Sequence, residues 1–100
     1  MPVRTEYQHE ILTAILQGDI DHHTAAAMRE AVDRAAESCL PKKLVLDFSG
    51  VSFMDSSGVG LVMGRYRLIR SMGGTLEITG TSARIRKMMK MAGLDLLTRT

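Results

Sequence analysis

Apolar residues fall in short runs of differing rhythm along this chain, and each rhythm predicts an element. Residues 3–8 and 10–17 read as two short antiparallel strands, the second carrying Ile11, Leu12, Ile15 and Leu16, although Leu-Thr-Ala-Ile-Leu departs from strict alternation. Gly18 closes this region, and "DIDHHT" offers Asp21 and Thr24 as side chains able to cap a helix. Over residues 24–38, Met28, Ala31, Val32 and Ala35 recur at i, i+3, i+4 and i+7, with Arg29, Glu30, Asp33, Arg34 and Glu37 between them. That spacing predicts an amphipathic helix lying on a flat surface. Pro41 stops it, and "KLVLDF" (residues 43–48) is a dense apolar run of the kind buried on both faces of a sheet.

A helical pattern returns over about residues 57–72 and ends at Gly73 and Gly74, where glycine supplies a left-handed backbone. "TLEIT" (75–79) alternates as a strand does, Gly80 turns, and Ser82 caps a last helix to about residue 92, with Ile85, Met88, Met89 and Ala92 in one stripe. Residues 94–97 add a short edge strand. Strand, helix and strand over 43–79 form a parallel unit with a right-handed crossover. The expected class is therefore α/β, a small mixed sheet with helices packed on one face. The second helix is apolar on two sides, Val59, Val62, Met63, Tyr66 and Ile69 on one and Leu61, Leu68 and Met72 nearly opposite. The first stripe covers the sheet; the second packs on the last helix or meets another protein.

Composition narrows the function classes. One hundred residues with 45% hydrophobic content suit a single domain spanning 1–100, with no repeat or linker. Thirteen basic against eleven acidic residues leave a net charge of +2, which demands neither nucleic acid nor an anionic membrane as partner. Cys39 is the sole cysteine, so no intrachain disulfide or cysteine metal cage is expected. Residues 1–10 lack a signal peptide's apolar stretch, and no run nears the roughly 20 apolar residues of a membrane span. A cytoplasmic protein is expected.

The chemistry concentrates in "FMDSSGVG" (53–60). A nucleophilic serine needs a base and an orienting partner, and the hydrolase elbow needs Gly-x-Ser-x-Gly; Met54-Asp55 and Gly58 flank these serines instead. Gly58, Gly60 and Gly64 lie one residue off the dinucleotide fingerprint, but a strand ending at Phe48 stops about ten residues too early for that turn. Small residues that let the helix approach its neighbours are the simpler account. His22 and His23 beside Asp21 form a solvated turn rather than a metal site, since adjacent helical residues diverge by about 100°. Either Ser56 or Ser57 caps the helix, which leaves the other hydroxyl free. A phosphate there would meet helix N–H donors, yet also the charge of Asp55.

"GDIDHHTA" (18–25), "LVLDFSGVSFMDSSGVGLVMGRYRLI" (44–69) and "GGTLEITG" (73–80) strongly resemble the bacterial anti-anti-sigma factors, the STAS-domain antagonists of anti-sigma factor kinases, and the sporulation member above all. The resemblance implies a STAS-like domain without catalysis or cofactor that binds an anti-sigma factor serine kinase and so frees a sigma factor. It implies that the kinase phosphorylates Ser56 and that a metal-dependent serine phosphatase restores it. Asp21, Asp55, Ser56, Ser57, Gly58, Gly60 and Leu61 are the expected partner-binding residues. The alternative is a small nucleotide-binding or nucleotide-hydrolysing protein using the Gly58–Gly60 loop, with Asp21 as a contact. Similar proteins continue into a further C-terminal helix, and this chain is expected to lack it, ending at Thr100.

Overall fold

The computed structural model describes residues 2–98. The expectation about the chain's end at Thr100 lies outside them. Strands β1 (Val3–Gln8), β2 (Ile11–Ile20), β3 (Lys43–Met54) and β4 (Thr75–Thr79) alternate after β2 with helices α1 (Ala25–Cys39) and α2 (Ser56–Ser71), and α3 (Ala83–Met91) follows β4. The sheet runs in the order β1-β2-β3-β4, with β1 antiparallel to β2 and the other pairs parallel. Lys43 pairs with Thr75 and Asp47 with Thr79, as the strand-helix-strand pattern predicts.

Sequential order explains the layering. Each step from β2 to β3 to β4 moves the same way across the sheet, so crossovers of one hand put both helices on one face. Leu12, Ala14 and Leu16 of β2, Leu44, Leu46 and Phe48 of β3, and Leu76 and Ile78 of β4 point into this layer and join Met28, Val32, Leu61, Val62 and Ile69 in one core. Burial of β3 therefore alternates, and Val45 and Asp47 on the open face are half-buried. The expectation of a strand buried on both faces is corrected: an apolar run cannot by itself reveal that one face lacks helices. In β2, Ile15 is the open-face residue that interrupts the written alternation.

Several boundaries shift. His9 and Glu10 form a two-residue hairpin turn with φ of 55° and 65°, so Glu10 is not in the second strand. No Asn-Gly pair advertises that turn. Gly18 (φ 87°) does not end β2; the strand continues to Ile20. β3 likewise runs past Phe48 to Met54, because β2–β3 pairing survives two register shifts, one between Ile15 and Gln17 and one between Gly18 and Asp19. In each shift β3 carries one more residue than β2, the mark of a bulge. The expected edge strand at 94–97 is instead a 3-10 turn (Asp95–Leu97), followed by a single bridge from Ile78 to Thr98.

The turn after β4 is tied to the first bulge. Gly80 has φ 70°, and a Cβ on it would stand 2.8 Å from both Asp47 Oδ1 and the Ser49 amide, which are themselves hydrogen-bonded at 2.9 Å. Gly80→Ala combines left-handed strain with a clash against backbone, and is expected to destabilise the domain by about 2 kcal/mol or more in urea denaturation. A loss under about 0.5 kcal/mol, the range of an ordinary surface change, would contradict this packing.

Candidate functional site

The extended ends of β2 and β3 build the site. Ile20 pairs with Met54, and the Asp55 amide donates to Ile20 O at 3.1 Å, so the loops opening α1 and α2 leave the sheet side by side. Asp21 and Asp55 occupy equivalent places in them. Asp21 Oδ1 accepts from the amides of His23 (2.8 Å) and Thr24 (3.1 Å), whereas the Thr24 hydroxyl donates back to Asp19 O at 2.9 Å and caps nothing. Asp55 is the N-cap of α2, its Oδ1 accepting from the Ser57 amide at 2.8 Å.

That cap corrects the choice between Ser56 and Ser57. Aspartate caps as well as serine does, and α2 starts one residue earlier than its apolar periodicity indicates. Neither serine hydroxyl makes a hydrogen bond among the described residues. They face different surroundings: Ser56 is exposed beside a shallow apolar hollow formed by Val59, Met88, Met91 and Ala92, whereas Ser57 is half-buried and faces α1.

The three glycines separate as well. An added Cβ on buried Gly58 would overlap Met54 Cγ and Sδ, so this glycine admits the helix onto the strand below. Gly60 and Gly64 have nothing within 4 Å of where a Cβ would stand, so close approach does not explain them. The strand's extension to Met54 also removes the gap of about ten residues that spoke against a fingerprint turn. Two of the first-turn donors a phosphate cradle would use are nevertheless taken, the Gly58 amide donating to Asp55 O at 3.0 Å and the Ser57 amide to the Asp55 carboxylate.

Leu61 is not a surface residue. It is 5% exposed and shares the buried stripe Gly58, Leu61, Val62, Arg65 and Ile69, whereas Met63, assigned above to the sheet-covering side, is 36% exposed. α2 is wedged between the sheet and α1, so its buried arc is centred on Leu61 and Val62. The stripe also holds a residue that sequence reasoning missed. Arg65 is 7% exposed, and its Nε lies 2.7 Å from Asp33 Oδ1 of α1, an ion pair in which neither atom makes a hydrogen bond. Its position three after Val62 and four before Ile69 is the signal that could have revealed it.

The His22 and His23 rings stack at 3.9 Å, and among the described residues no group of three His, Cys, Asp or Glu side chains could hold a metal. Among the same residues no helix is long and apolar enough to cross a membrane.

A mixed four-stranded sheet with helices on one face and a capped Asp-Ser-Ser-Gly helix start defines a small α/β domain whose polar groups meet at strand ends. Residues 3–100 match the STAS domain, and the chain belongs to that family. It is 32% identical over 94 residues to an anti-sigma F factor antagonist of Paenibacillus polymyxa, covering 94% of this chain and 80% of that one. It is 30% identical to the anti-sigma-B factor antagonist of Bacillus subtilis over 79% of this chain and 71% of the relative. The unphosphorylated form of the anti-sigma factor antagonist SpoIIAA superimposes with a TM-score of 0.85 at 31% identity, covering 97% of this chain and 85% of that one. The phosphorylated form of SpoIIAA from Bacillus gives 0.78 at 31% identity, over 97% and 88%. The chain is thus a relative of the bacterial anti-sigma factor antagonists.

Two predictions follow from the packing. Gly58→Ala is expected to cost about 1–3 kcal/mol through overpacking, whereas Gly60→Ala gains up to about 1 kcal/mol of helix propensity; urea denaturation separates them, and equal effects would refute the assignment. Leu61→Glu is expected to unfold the domain by circular dichroism, and a folded variant would contradict its burial. A third concerns acid. Desolvation opposes the Asp21 charge, but the amides of His23 and Thr24, the His23 charge and the Thr24 hydroxyl outweigh it and hold the carboxyl below its ordinary pKa. A depressed carboxyl stabilises the fold above its unfolded-state pKa and loses that contribution as pH falls through the folded value. The stability gap between wild type and Asp21→Asn should therefore be full at neutral pH and close below the ordinary carboxylate range; a gap independent of pH would refute it.

Proposed function

We propose that this protein is an anti-sigma factor antagonist controlled by phosphorylation of Ser56. In its unphosphorylated form it binds an anti-sigma factor that is also a serine kinase, which releases the sigma factor. Phosphate on Ser56 ends that binding, and a serine phosphatase restores it. The relatives that antagonise anti-sigma factors support the antagonist role, and SpoIIAA exists in phosphorylated and unphosphorylated forms.

The observation that carries the choice of residue is the division of labour at the start of α2: Asp55 does the capping, so the exposed Ser56 hydroxyl is free for a kinase without loss of a structural bond. The partner would meet Asp21, Asp55, Ser56, Ser57 and Gly60 at the strand ends. Gly58 would serve from beneath by seating α2, and Leu61 by packing the core. A phosphoserine brings about −1.5 to −2 charges at neutral pH to a surface that already carries Asp55. It would also rim the apolar hollow of Val59, Met88, Met91 and Ala92, where a charge is poorly solvated in a complex. The Ser57 and Gly58 amides, two of the donors a phosphate cradle would use, already serve Asp55, which weighs against the nucleotide-hydrolysing alternative.

Mass spectrometry after incubation with the cognate anti-sigma factor kinase and ATP tests this reading. A single phosphate on Ser56, absent in Ser56→Ala, is expected. Phosphate on Ser57, or a modified Ser56→Ala protein, would overturn the assignment.

A further inference from the structure

A groove of about 420 Å³ runs between α1 and α2, within the size range of small-molecule sites. Its lining includes Ala25 and Ala26 of α1 and Gly60 and Gly64 of α2, and nothing stands within 4 Å of the Cβ positions of either glycine. Arg29 and Arg65 line the same groove. This space is left open by the absence of side chains, and the largest groups that border it are cationic.

The charges do not balance. Asp33 is the one carboxylate paired there, and it lies against Arg65 Nε at 2.7 Å. The terminal nitrogens of Arg65 donate to nothing among the described residues, although the side chain is 91% buried; exposed Arg29 likewise has no hydrogen bond or ion pair among them. Burial lowers the Arg65 pKa, Asp33 offsets part of that, and the charge of Arg29 adds to the lowering, so the two guanidiniums feel each other. Two like charges facing an empty concavity with one counter-charge favour an anion. A monocarboxylate would satisfy one guanidinium fork, whereas a phosphate has oxygens enough for both.

We propose that the α1–α2 groove binds a small phosphate-bearing anion, held between Arg29 and Arg65 over the bare backbone of Gly60 and Gly64. Gly60 and Gly64 then have a role that close helix packing does not give them. The site stands apart from Ser56, which borders the hollow toward α3, and does not rest on the switch.

Amide chemical shifts of the full chain, titrated at constant ionic strength, test it with three probes: inorganic pyrophosphate, glycerol 3-phosphate as an organic monoester, and sodium chloride as control. Saturable shifts are expected at Ala25, Ala26, Ser57, Gly60 and Gly64 with at least one phosphate probe and not with chloride; the probe that saturates at lower concentration distinguishes an inorganic from an organic source. Arg29→Gln, a change at an exposed residue, should weaken binding by about tenfold or more, the loss expected for a charge-assisted contact. Gly64→Leu should block binding by filling the groove while leaving the protein folded. Non-saturating shifts, shifts centred on the basic α3 residues Arg84, Arg86, Lys87 and Lys90, or binding unchanged in both variants would overturn the proposal.

Discussion

The parallel pairing of β2 with β3, carried past two bulges to Ile20 and Met54, decides where the functional groups of this domain stand. β4 pairs with β3 only from Lys43 to Asp47, so the far ends of β2 and β3 project beyond it as a two-stranded extension. Both helix-opening loops leave from that tip. Each begins with an aspartate whose carboxylate is occupied by backbone amides of its own loop, Asp21 by His23 and Thr24, Asp55 by Ser57. These local bonds fix the loops without help from a ligand, a form of preorganisation that lowers the ordering cost of recognition.

The same constraint explains the glycines and serines. Because Met54 remains in the strand, its side chain lies under the first turn of α2, and glycine at position 58 lets the helix sit there without displacing it. Because Asp55 caps, both serines enter the helix with free hydroxyls, one on the α3 side and one on the α1 side. One helix start thus borders two distinct surfaces. The first carries Ser56 beside the apolar side chains of Val59, Met88, Met91 and Ala92; the second carries Arg29 and Arg65.

Much of this was legible in the sequence. The spacing of Met28 and Val32, the run from Leu44 to Phe48, the alternation of "TLEIT" and the Ser82 cap each encode local structure through nearest-neighbour geometry, and each appears where expected. What stayed hidden depends on contacts distant in sequence. The extension of β3 past Ser49 and Gly50 needs β2 as its partner, and no local propensity announces it. The burial of Leu61 and the Arg65–Asp33 pair arise because α1 packs beside α2. A helical wheel marks apolar arcs, but which arc is buried depends on the neighbour. The Asp-Ser-Ser-Gly loop could be found from its residues, yet the division between cap and free hydroxyls required coordinates.

The central claim is that phosphate on Ser56 alters the docking surface while the fold stays intact. Calorimetric titration of the anti-sigma factor with the unphosphorylated and the phosphorylated protein tests it most directly. The account predicts a roughly hundredfold weaker affinity for the phosphorylated form, about 2.7 kcal/mol, a size within reach of one misplaced charge at an interface. Equal affinity of the two forms would contradict it.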